Sequence, residues 1–210
     1  MLIILDLGAN DGCSILKFQD MLKEKNVKDY KIYSFEPNIF FKKPLKRIKK
    51  RNTNIEIYFK ILGTKNTTTK LYLSQKNNSG SSIYSNKTTN KINDELYLKC
   101  EEIDIVEFLR ALPSHDELWI KMDIEGGEYD IIPHLYENDC LKLINKLFIE
   151  WHYKKIPSIT EETHNKVRNL VSSIPTEFWD AYEYGNKSKK YITEYKNFDL
   201  YKRLKSIVTR

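Results

Sequence analysis

Short apolar runs alternate along the chain with longer segments in which apolar residues recur every three or four positions. The short runs predict buried strands at residues 2–7, 30–36, 55–62, 117–123 and 146–152. The longer segments predict helices at residues 13–25, 103–112, 127–138 and 161–174. Strands that alternate with helices predict a mostly parallel sheet covered by helices on both faces, which is a three-layer α/β sandwich.

Three further segments modify this architecture. A short basic helix around residues 38–50 contains Pro44, which should bend or delay the helix. Two aromatic segments, 177–185 and 189–195, are separated by turn-forming residues and predict a closing hairpin. This hairpin would add an antiparallel edge to the sheet, and a terminal helix is expected over residues 198–208.

Residues 64–95 interrupt the alternation with a polar segment rich in turn-forming residues. Loops of this length are frequently lids or binding loops, but the composition also fits a mobile, low-complexity insertion. A chain of 210 residues suffices for one buried core, so we expect a single domain over residues 1–210. The first strand begins at residue 2, a start that also fits one domain of a longer polypeptide.

Charge and cysteine content narrow the setting of the protein. The net charge is +6, and the densest basic run, residues 42–51, fits either a solvated face or a surface for nucleic acid or anionic lipid. No stretch approaches the ~20 apolar residues of a membrane span and no signal peptide is visible, so we expect a cytoplasmic protein. Cys13, Cys100 and Cys140 form no paired motif, which argues against a disulfide framework or a zinc knuckle.

The sequence LDLGANDG at residues 5–12 predicts a tight turn directly after the first strand. Gly8 and Gly12 let the backbone bend, yet the glycine spacings of a dinucleotide site and of a phosphate-binding loop are both absent. Asp6 precedes the turn, where it would suit a cationic group, and Glu36 closes the second strand, where it would accept hydrogen bonds from ribose hydroxyls. S-adenosylmethionine, a phosphate-free nucleoside with a charged amino acid end, fits this set.

Four motifs carry a resemblance to a known family. They are D-x-G-A-N-x-G at residues 6–12, F-E-P at 35–37, K-M-D-I-E-G-G-E at 121–128 and I-E-W-H at 149–152. Together they resemble the FkbM-type methyltransferases, with a similarity that extends over residues 2–153 and is poor in the polar insertion. The third motif is much more specific than the glycine turn.

The resemblance implies a fold, an activity and a cofactor site. The fold would be the Rossmann-like class I methyltransferase fold, with a mostly parallel sheet of seven strands. The activity would be transfer of the methyl group of S-adenosylmethionine to hydroxyl groups, frequently those of sugars. The cofactor would be held by residues that match the family motifs, namely Asp6, Gly8, Asn10, Gly12, Glu36 and Asp123.

Candidate catalytic residues follow the fourth and fifth predicted strands. Asp123, Glu150 and His152 would lie on one rim of the sheet and could converge on one point. Such a set suits Mg²⁺ or Mn²⁺, which would orient and acidify a hydroxyl group. Alternatively, His152 acts as a general base without a metal, and Lys121 orients an oxygen or acts as a base itself.

Several other residues near these motifs, and the remaining histidines and tryptophans, have structural roles as an alternative to ligand contact. Glu125 either contacts a ligand or caps the following helix, and Glu128 more simply caps it. Ser81 and Ser82 could reach the cofactor if the polar insertion folds over the site. Surface positions are expected for His115, His134 and His164, and core or pocket-wall positions for Trp119, Trp151 and Trp179.

The favoured function is therefore O-methylation of a sugar hydroxyl in a glycan or its precursor, with a deoxyhexose such as rhamnose as the concrete version. Glycosyltransferase domains would be natural companions in the same chain. A nucleic acid methyltransferase is the alternative, which the positive charge favours. The absence of a D/N-P-P-Y block after the fourth strand opposes it, so we expect no nucleic acid partner. A non-catalytic binding module of the same fold is the third hypothesis.

Overall fold

The computed structural model describes residues 1–74, 80–90, 92 and 94–180. Within them the strands are β1 (Leu2–Leu7), β2 (Tyr30–Phe35), β3 (Ile55–Tyr58), β4 (Ile61–Gly63), β5 (Thr67–Tyr72), β6 (Tyr97–Asp104), β7 (Glu117–Met122), β8 (Lys146–Ile149) and β9 (Thr176–Phe178). The α-helices are α1 (Cys13–Glu24), α2 (Lys42–Lys49), α3 (Ile105–Arg110), α4 (Glu128–Glu137) and α5 (Glu161–Leu170). Short 3₁₀ turns cover Ile39–Phe41, Leu141–Leu143 and Tyr153–Lys155.

The central sheet has six parallel strands in the order β3-β2-β1-β7-β8-β9. The chain moves outward from β1 to β3 and later returns to place β7 on the other side of β1. Every residue of β1 is buried, which explains why this strand is a continuous apolar run rather than an alternating one. In such a sheet ligands bind at the carboxyl ends of the strands, where the strand order reverses.

Helices cover both faces of this sheet, as the alternating side chains of β1 require. Ile3, Leu5 and Leu7 belong to a core that includes residues of α3, α4 and α5. Leu2 and Ile4 point the other way and belong to a second core with residues of α1 and α2. The predicted three-layer, Rossmann-like α/β fold is therefore confirmed.

A second sheet of three strands, in the order β4-β6-β5, stands apart from the central one. In it β6 pairs with β4 in parallel and with β5 in antiparallel orientation. The prediction of one strand over residues 55–62 was wrong, because the chain leaves the central sheet after Tyr58 and enters the second sheet at Ile61. The predicted helix 103–112 is also shorter, since β6 extends to Asp104 and the Asp104 side chain caps α3 by accepting from the backbone N–H of Val106.

The edge of the central sheet differs from the expectation. The described residues form six strands in this sheet rather than seven, and β9, the start of the predicted hairpin, runs parallel to β8. The remainder of the predicted hairpin and the predicted helix 198–208 lie outside the described residues. Helix α2 begins at Lys42, later than the predicted start near residue 38, and Pro44 occupies its first turn, where a backbone N–H has no helical partner.

Candidate functional site

A cavity of about 900 Å³ opens at the carboxyl ends of the central strands. Gly8, Glu36, Asp123 and Glu150 line it, and each is the residue that directly follows β1, β2, β7 or β8. The opposite wall comes from the second sheet, for example Leu62 of β4. This volume and position are those of a site for a small-molecule ligand.

The two glycines of the first turn are required because neighbouring protein atoms occupy the space that a Cβ would fill. Gly8 has a φ of 81°, and a Cβ there would lie 2.0 Å from the backbone oxygen of Asp123. Gly12 has a φ of 93°, and its Cβ would lie 2.2 Å from Cδ1 of Ile48 in α2. Gly8 still lines the cavity, whereas Gly12 does not, so the predicted contact of Gly12 with a ligand is corrected to a packing role.

Asp6 lies beneath the floor of the cavity rather than at its surface. It is fully buried and accepts hydrogen bonds from the hydroxyls of Ser14 (2.7 Å) and Ser34 (3.2 Å). Its second oxygen lies 3.4 Å from Lys121 Nζ. The cation that neutralises Asp6 is therefore Lys121, and the expectation that Asp6 meets a cationic group of the cofactor is corrected.

Lys121 fastens the glycine turn to β7. Its buried ammonium donates hydrogen bonds to the carbonyl oxygens of Leu7 (2.9 Å) and Gly8 (2.6 Å) and forms the ion pair with Asp6. Asp123, the partner expected from the sequence, is farther away, at 3.8 Å. An ammonium held by these groups has no free position for a substrate proton, so the proposed role of Lys121 as a base is corrected to a structural one.

Glu36 presents a carboxylate to the cavity. One oxygen accepts from the backbone N–H of Asn10 (2.7 Å) and the other from that of Asn38 (2.8 Å), and each oxygen keeps a lone pair. Burial raises the pKa of Glu36 to about 7, although these two N–H groups act in the opposite direction. Asn10, with a φ of 49°, thus reaches Glu36 through its backbone and lines the cavity beside it.

The rim of β7 and β8 brings the predicted catalytic residues together. His152 Nε2 lies 3.3 Å from Glu150 Oε1 and 3.7 Å from Asp123 Oδ1. Glu125 Oε2 lies 3.5 Å from the same nitrogen, and Glu128 Oε1 lies 3.0 Å from Nδ1 on the other side of the ring. We call these five residues the rim cluster.

His152 is enclosed by carboxylates and does not line the cavity. Its side chain is inaccessible to solvent. Burial by itself lowers the pKa of His152, but the carboxylates of Glu128 and Glu150 outweigh it and raise the pKa to about 10. Because the His152 side chain is inaccessible and does not line the cavity, it cannot reach a substrate hydroxyl directly, so the hypothesis of His152 as the general base is corrected.

Glu128 holds the loop between β7 and α4 in place. Its two oxygens accept from the backbone N–H groups of Ile124 (3.0 Å) and Gly126 (2.9 Å), which precede α4, so Glu128 fastens the loop rather than caps the helix as predicted. Within this loop Glu125 adopts a φ of 54°, which is unusual for a residue with a side chain. This conformation places the Glu125 carboxylate at the cavity wall and beside His152.

Two lysines that no sequence motif indicated complete the rim. The buried ammonium of Lys87 lies 2.7 Å from Glu125 Oε2 and donates to the carbonyl of Gly80 (2.7 Å). Lys155 Nζ lies 3.2 Å from Glu150 Oε1 and 3.9 Å from Glu125 Oε2. Lys87 belongs to a polar segment without periodicity, so no local pattern could have identified it.

The segment 80–90 of the polar insertion folds onto this rim. The Ser82 hydroxyl donates to the carbonyl of Glu125 (2.6 Å), and the backbone N–H of Thr88 donates to that of Lys155 (2.8 Å). Ser81 lines the cavity, whereas Ser82 is buried behind it. The insertion therefore forms part of the site wall.

The remaining histidines and tryptophans lie outside the rim cluster. His115 is partly exposed, and His134 lies 3.1 Å from Asp104. His164 is buried against the hydroxyl of Tyr129 (2.8 Å), so its expected surface position was wrong. The side chains of Trp119, Trp151 and Trp179 pack in the core, and Trp179 also lines the cavity.

The helices in the described part of the chain include no candidate for a membrane span.

Comparisons with known proteins place this site in a family. No curated protein and no solved structure matches the chain. The model of the methyltransferase FkbM domain matches residues 6–184, a range that includes the glycine turn, Glu36 and the whole rim cluster. The chain therefore belongs to the FkbM methyltransferase family, whose activity implies S-adenosylmethionine as the methyl donor.

Proposed function

We propose that the protein transfers the methyl group of S-adenosylmethionine to a hydroxyl group of a sugar in a glycan or glycan precursor. The observation that carries this proposal is the position of Gly8, Glu36, Asp123 and Glu150, which follow four adjacent parallel strands and line one cavity. A nucleoside and an acceptor can lie side by side across these strand ends.

The half of the cavity at β1 and β2 suits the nucleoside. The free lone pairs of Glu36 can accept hydrogen bonds from both ribose hydroxyls, because its carboxylate is fixed by two backbone N–H groups. The apolar side chain of Phe41 and the backbone of the glycine turn line the same half. The cofactor supplies a methyl group on a positively charged sulfur.

The half at β7 and β8 suits the acceptor hydroxyl. In the transfer, the acceptor oxygen forms a bond to the methyl carbon while the carbon–sulfur bond breaks, with its electron pair left on sulfur. We assign the hydroxyl proton to the Asp123 carboxylate, because Asp123 lines the cavity directly beside the glycine turn. A positioned proton acceptor contributes ~10²–10⁴-fold to a rate, and alignment of the reacting atoms about 7–11 kcal/mol.

A sugar is the acceptor class that fits the polar character of this half. Glu150, Lys155, Tyr84 and Asn90 line the cavity and offer both donors and acceptors to the hydroxyls of a pyranose. A deoxyhexose such as rhamnose is the concrete acceptor proposed, with cytoplasmic glycan assembly as the setting and glycosyltransferase domains as companions.

One observation favours a second candidate, a nucleic acid methyltransferase. Helix α2 presents a strongly basic surface, with a shallow groove lined by Ile39, Lys42, Lys43, Lys46, Arg47 and Lys50. A surface of this charge would bind phosphate backbones with an affinity that falls steeply as salt is raised.

One experiment separates these functions. The protein and methyl-labelled S-adenosylmethionine are incubated in parallel reactions with different acceptors. These are a panel of mono- and disaccharides that includes rhamnose, RNA, and DNA. Labelled saccharide that the Asp123→Asn variant does not produce supports the proposal. Label in RNA or DNA alone would replace it with the second candidate, and cofactor binding without transfer to any acceptor would indicate a binding module.

A further inference from the structure

The Nε2 nitrogen of His152 is buried and faces three carboxylates without forming a hydrogen bond. Within the described part of the chain, His152 Nε2 is one of the few buried side-chain atoms that lack a hydrogen-bond partner. The His152 side chain is inaccessible to solvent, so water cannot satisfy Nε2. A buried polar atom without a partner is costly unless an additional group occupies the space beside it.

The geometry points to a binding site for one divalent cation of the Mn²⁺ type. We propose that the cation lies between four side chains of the rim cluster, namely Asp123, Glu125, Glu150 and His152. Donor atoms from Asp123, Glu125 and His152 all lie within 4.8 Å of one another.

The distances among these donors match those around a metal ion. Two donors that each bind one ion at about 2.1 Å lie about 3.0–3.4 Å apart in octahedral or tetrahedral geometry. His152 Nε2 lies 3.3 Å from Glu150 Oε1 and 3.5 Å from Glu125 Oε2. It lies 3.7 Å from Asp123 Oδ1, so a small rotation of the carboxylates would complete the set.

Glu128 orients the imidazole for this role. Glu128 Oε1 lies 3.0 Å from His152 Nδ1 and also accepts from the backbone N–H of Ile124, so its position is fixed. This carboxylate oxygen can only accept, so Nδ1 is the nitrogen that carries the proton in the hydrogen bond. Metal-binding histidines commonly donate their second nitrogen to a carboxylate in this way. The lone pair of a neutral Nε2 then points at the other three carboxylates, and the cation takes the place of the Nε2 proton.

The charges of the rim leave room for a divalent cation. Four carboxylates surround His152, and Lys87 and Lys155 form ion pairs with them. Lys121 also lies 3.8 Å from Asp123, but its charge is balanced by Asp6 at 3.4 Å. With a neutral imidazole this group carries a net charge of two negatives, which a divalent cation neutralises. Carboxylate oxygens with one imidazole suit Mn²⁺ better than the soft, thiolate-binding metals.

The role of this cation in catalysis rests on the proposed function. Asp123, Glu125 and Glu150 line the cavity, so a bound ion would face the acceptor half. There it would bind the acceptor hydroxyl, lower the pKa of that hydroxyl and hold it for transfer. The existence of the site does not depend on that role.

Mn²⁺ binding is measured by electron paramagnetic resonance of the free ion during titration of the full chain. We expect one saturable site in the wild type and at least a tenfold weaker affinity in Glu150→Gln, whose side chain is partly exposed and whose loss should spare folding. Glu125→Gln should behave alike. The matched control is Asp130→Asn, which removes a carboxylate from the same cavity but outside the rim cluster and should bind Mn²⁺ normally.

The proposal is overturned if the wild type shows no saturable site, if Glu150→Gln and Glu125→Gln bind as tightly as the wild type, or if Asp130→Asn weakens binding equally. Thermal unfolding of each variant verifies that it is folded. Because no acceptor or cofactor is present, this result is distinct from a failure of methyl transfer, which the saccharide assay reports.

Discussion

The two halves of the cavity satisfy their buried charges in different ways. In the cofactor half, Asp6 and Lys121 form a pair, and their remaining hydrogen bonds come from nearby serine hydroxyls and backbone carbonyls. In the acceptor half, His152 faces three carboxylates at distances beyond a good hydrogen bond. The first half pairs one buried carboxylate with one buried ammonium, whereas the second gathers several carboxylates around one imidazole and leaves an excess of negative charge that a bound cation can neutralise.

The largest effect is expected from Asp123→Asn, which tests the acceptor half. The amide cannot accept the hydroxyl proton, so turnover should fall by about 10²–10⁴-fold while affinity for S-adenosylhomocysteine changes by only a few-fold. Radiolabel transfer gives the rate and calorimetry gives the affinity. Turnover within threefold of the wild type would remove Asp123 from the chemistry.

Lys121→Met tests whether the cofactor half is held by its buried ion pair. Loss of the ammonium leaves Asp6 charged and unpaired in the core, which should lower the free energy of unfolding by about 3–5 kcal/mol. Urea denaturation measures this change. The double variant Asp6→Asn/Lys121→Met should recover part of the loss, and a double variant as unstable as the sum of its singles would contradict the pairing.

Lys87→Met tests the contribution of the polar insertion to the acceptor half. It removes a buried cation from Glu125 and should lower the free energy of unfolding by about 1–3 kcal/mol. Saturating Mn²⁺ should reduce that loss, because the ion then neutralises Glu125 in place of the ammonium. The control is Lys60→Met, which breaks a solvent-exposed ion pair with Glu101 and should cost less than about 1 kcal/mol.

Glu36 should make cofactor affinity depend on pH. With a pKa raised by burial to about 7, its carboxylate is mostly ionised at pH 8 and mostly protonated at pH 6. Only the ionised form accepts hydrogen bonds from both ribose hydroxyls, so S-adenosylhomocysteine should bind about tenfold more weakly at pH 6. Calorimetry at the two pH values measures this ratio, and Glu36→Gln should abolish it.

In the ligand-free protein, the Glu36 carboxyl group makes the free energy of unfolding depend on pH, with a sign opposite to that of cofactor affinity. Because the pKa of Glu36 is higher in the folded state than its ordinary value of 4.5, the folded state binds this proton more tightly. Its contribution to stability is fully present below pH 4.5 and is lost as the pH rises to about 7. A stability difference between wild type and Glu36→Gln that does not change over this range would contradict the raised pKa.

The parts of the molecule that the sequence predicted share a local or regular origin. Strand β1, the glycine turn and the approach of Asp123 to His152 follow from apolar runs and from the rule that parallel strands end on one edge. Glu36 was identified for the same reason. Such features depend on the few residues around them and on the direction of the chain.

The parts that the sequence did not predict depend on distant contacts. The break between β3 and β4 is invisible in the alternating run 55–62, because the pairing partner decides which sheet a strand joins. Lys87 reaches Glu125 across 38 positions of sequence, and His164 is buried through its contact with Tyr129. The burial of Asp6 beneath the cavity floor likewise required the position of Lys121.

The separation of β3 and β4 has an evolutionary consequence. The chain crosses from the central sheet to the second sheet through Phe59 and Lys60 alone, and it leaves the second sheet at the end of β6. Between these crossings, Leu62 packs into the central core and Ser82 and Lys87 bond to Glu125, whereas the strand pairing of the central sheet involves none of these residues. Exchange of residues 61–104 between relatives, with the residues that meet Glu125 kept, is therefore expected to alter acceptor preference through Tyr84 and Asn90 while the methyl donor stays the same.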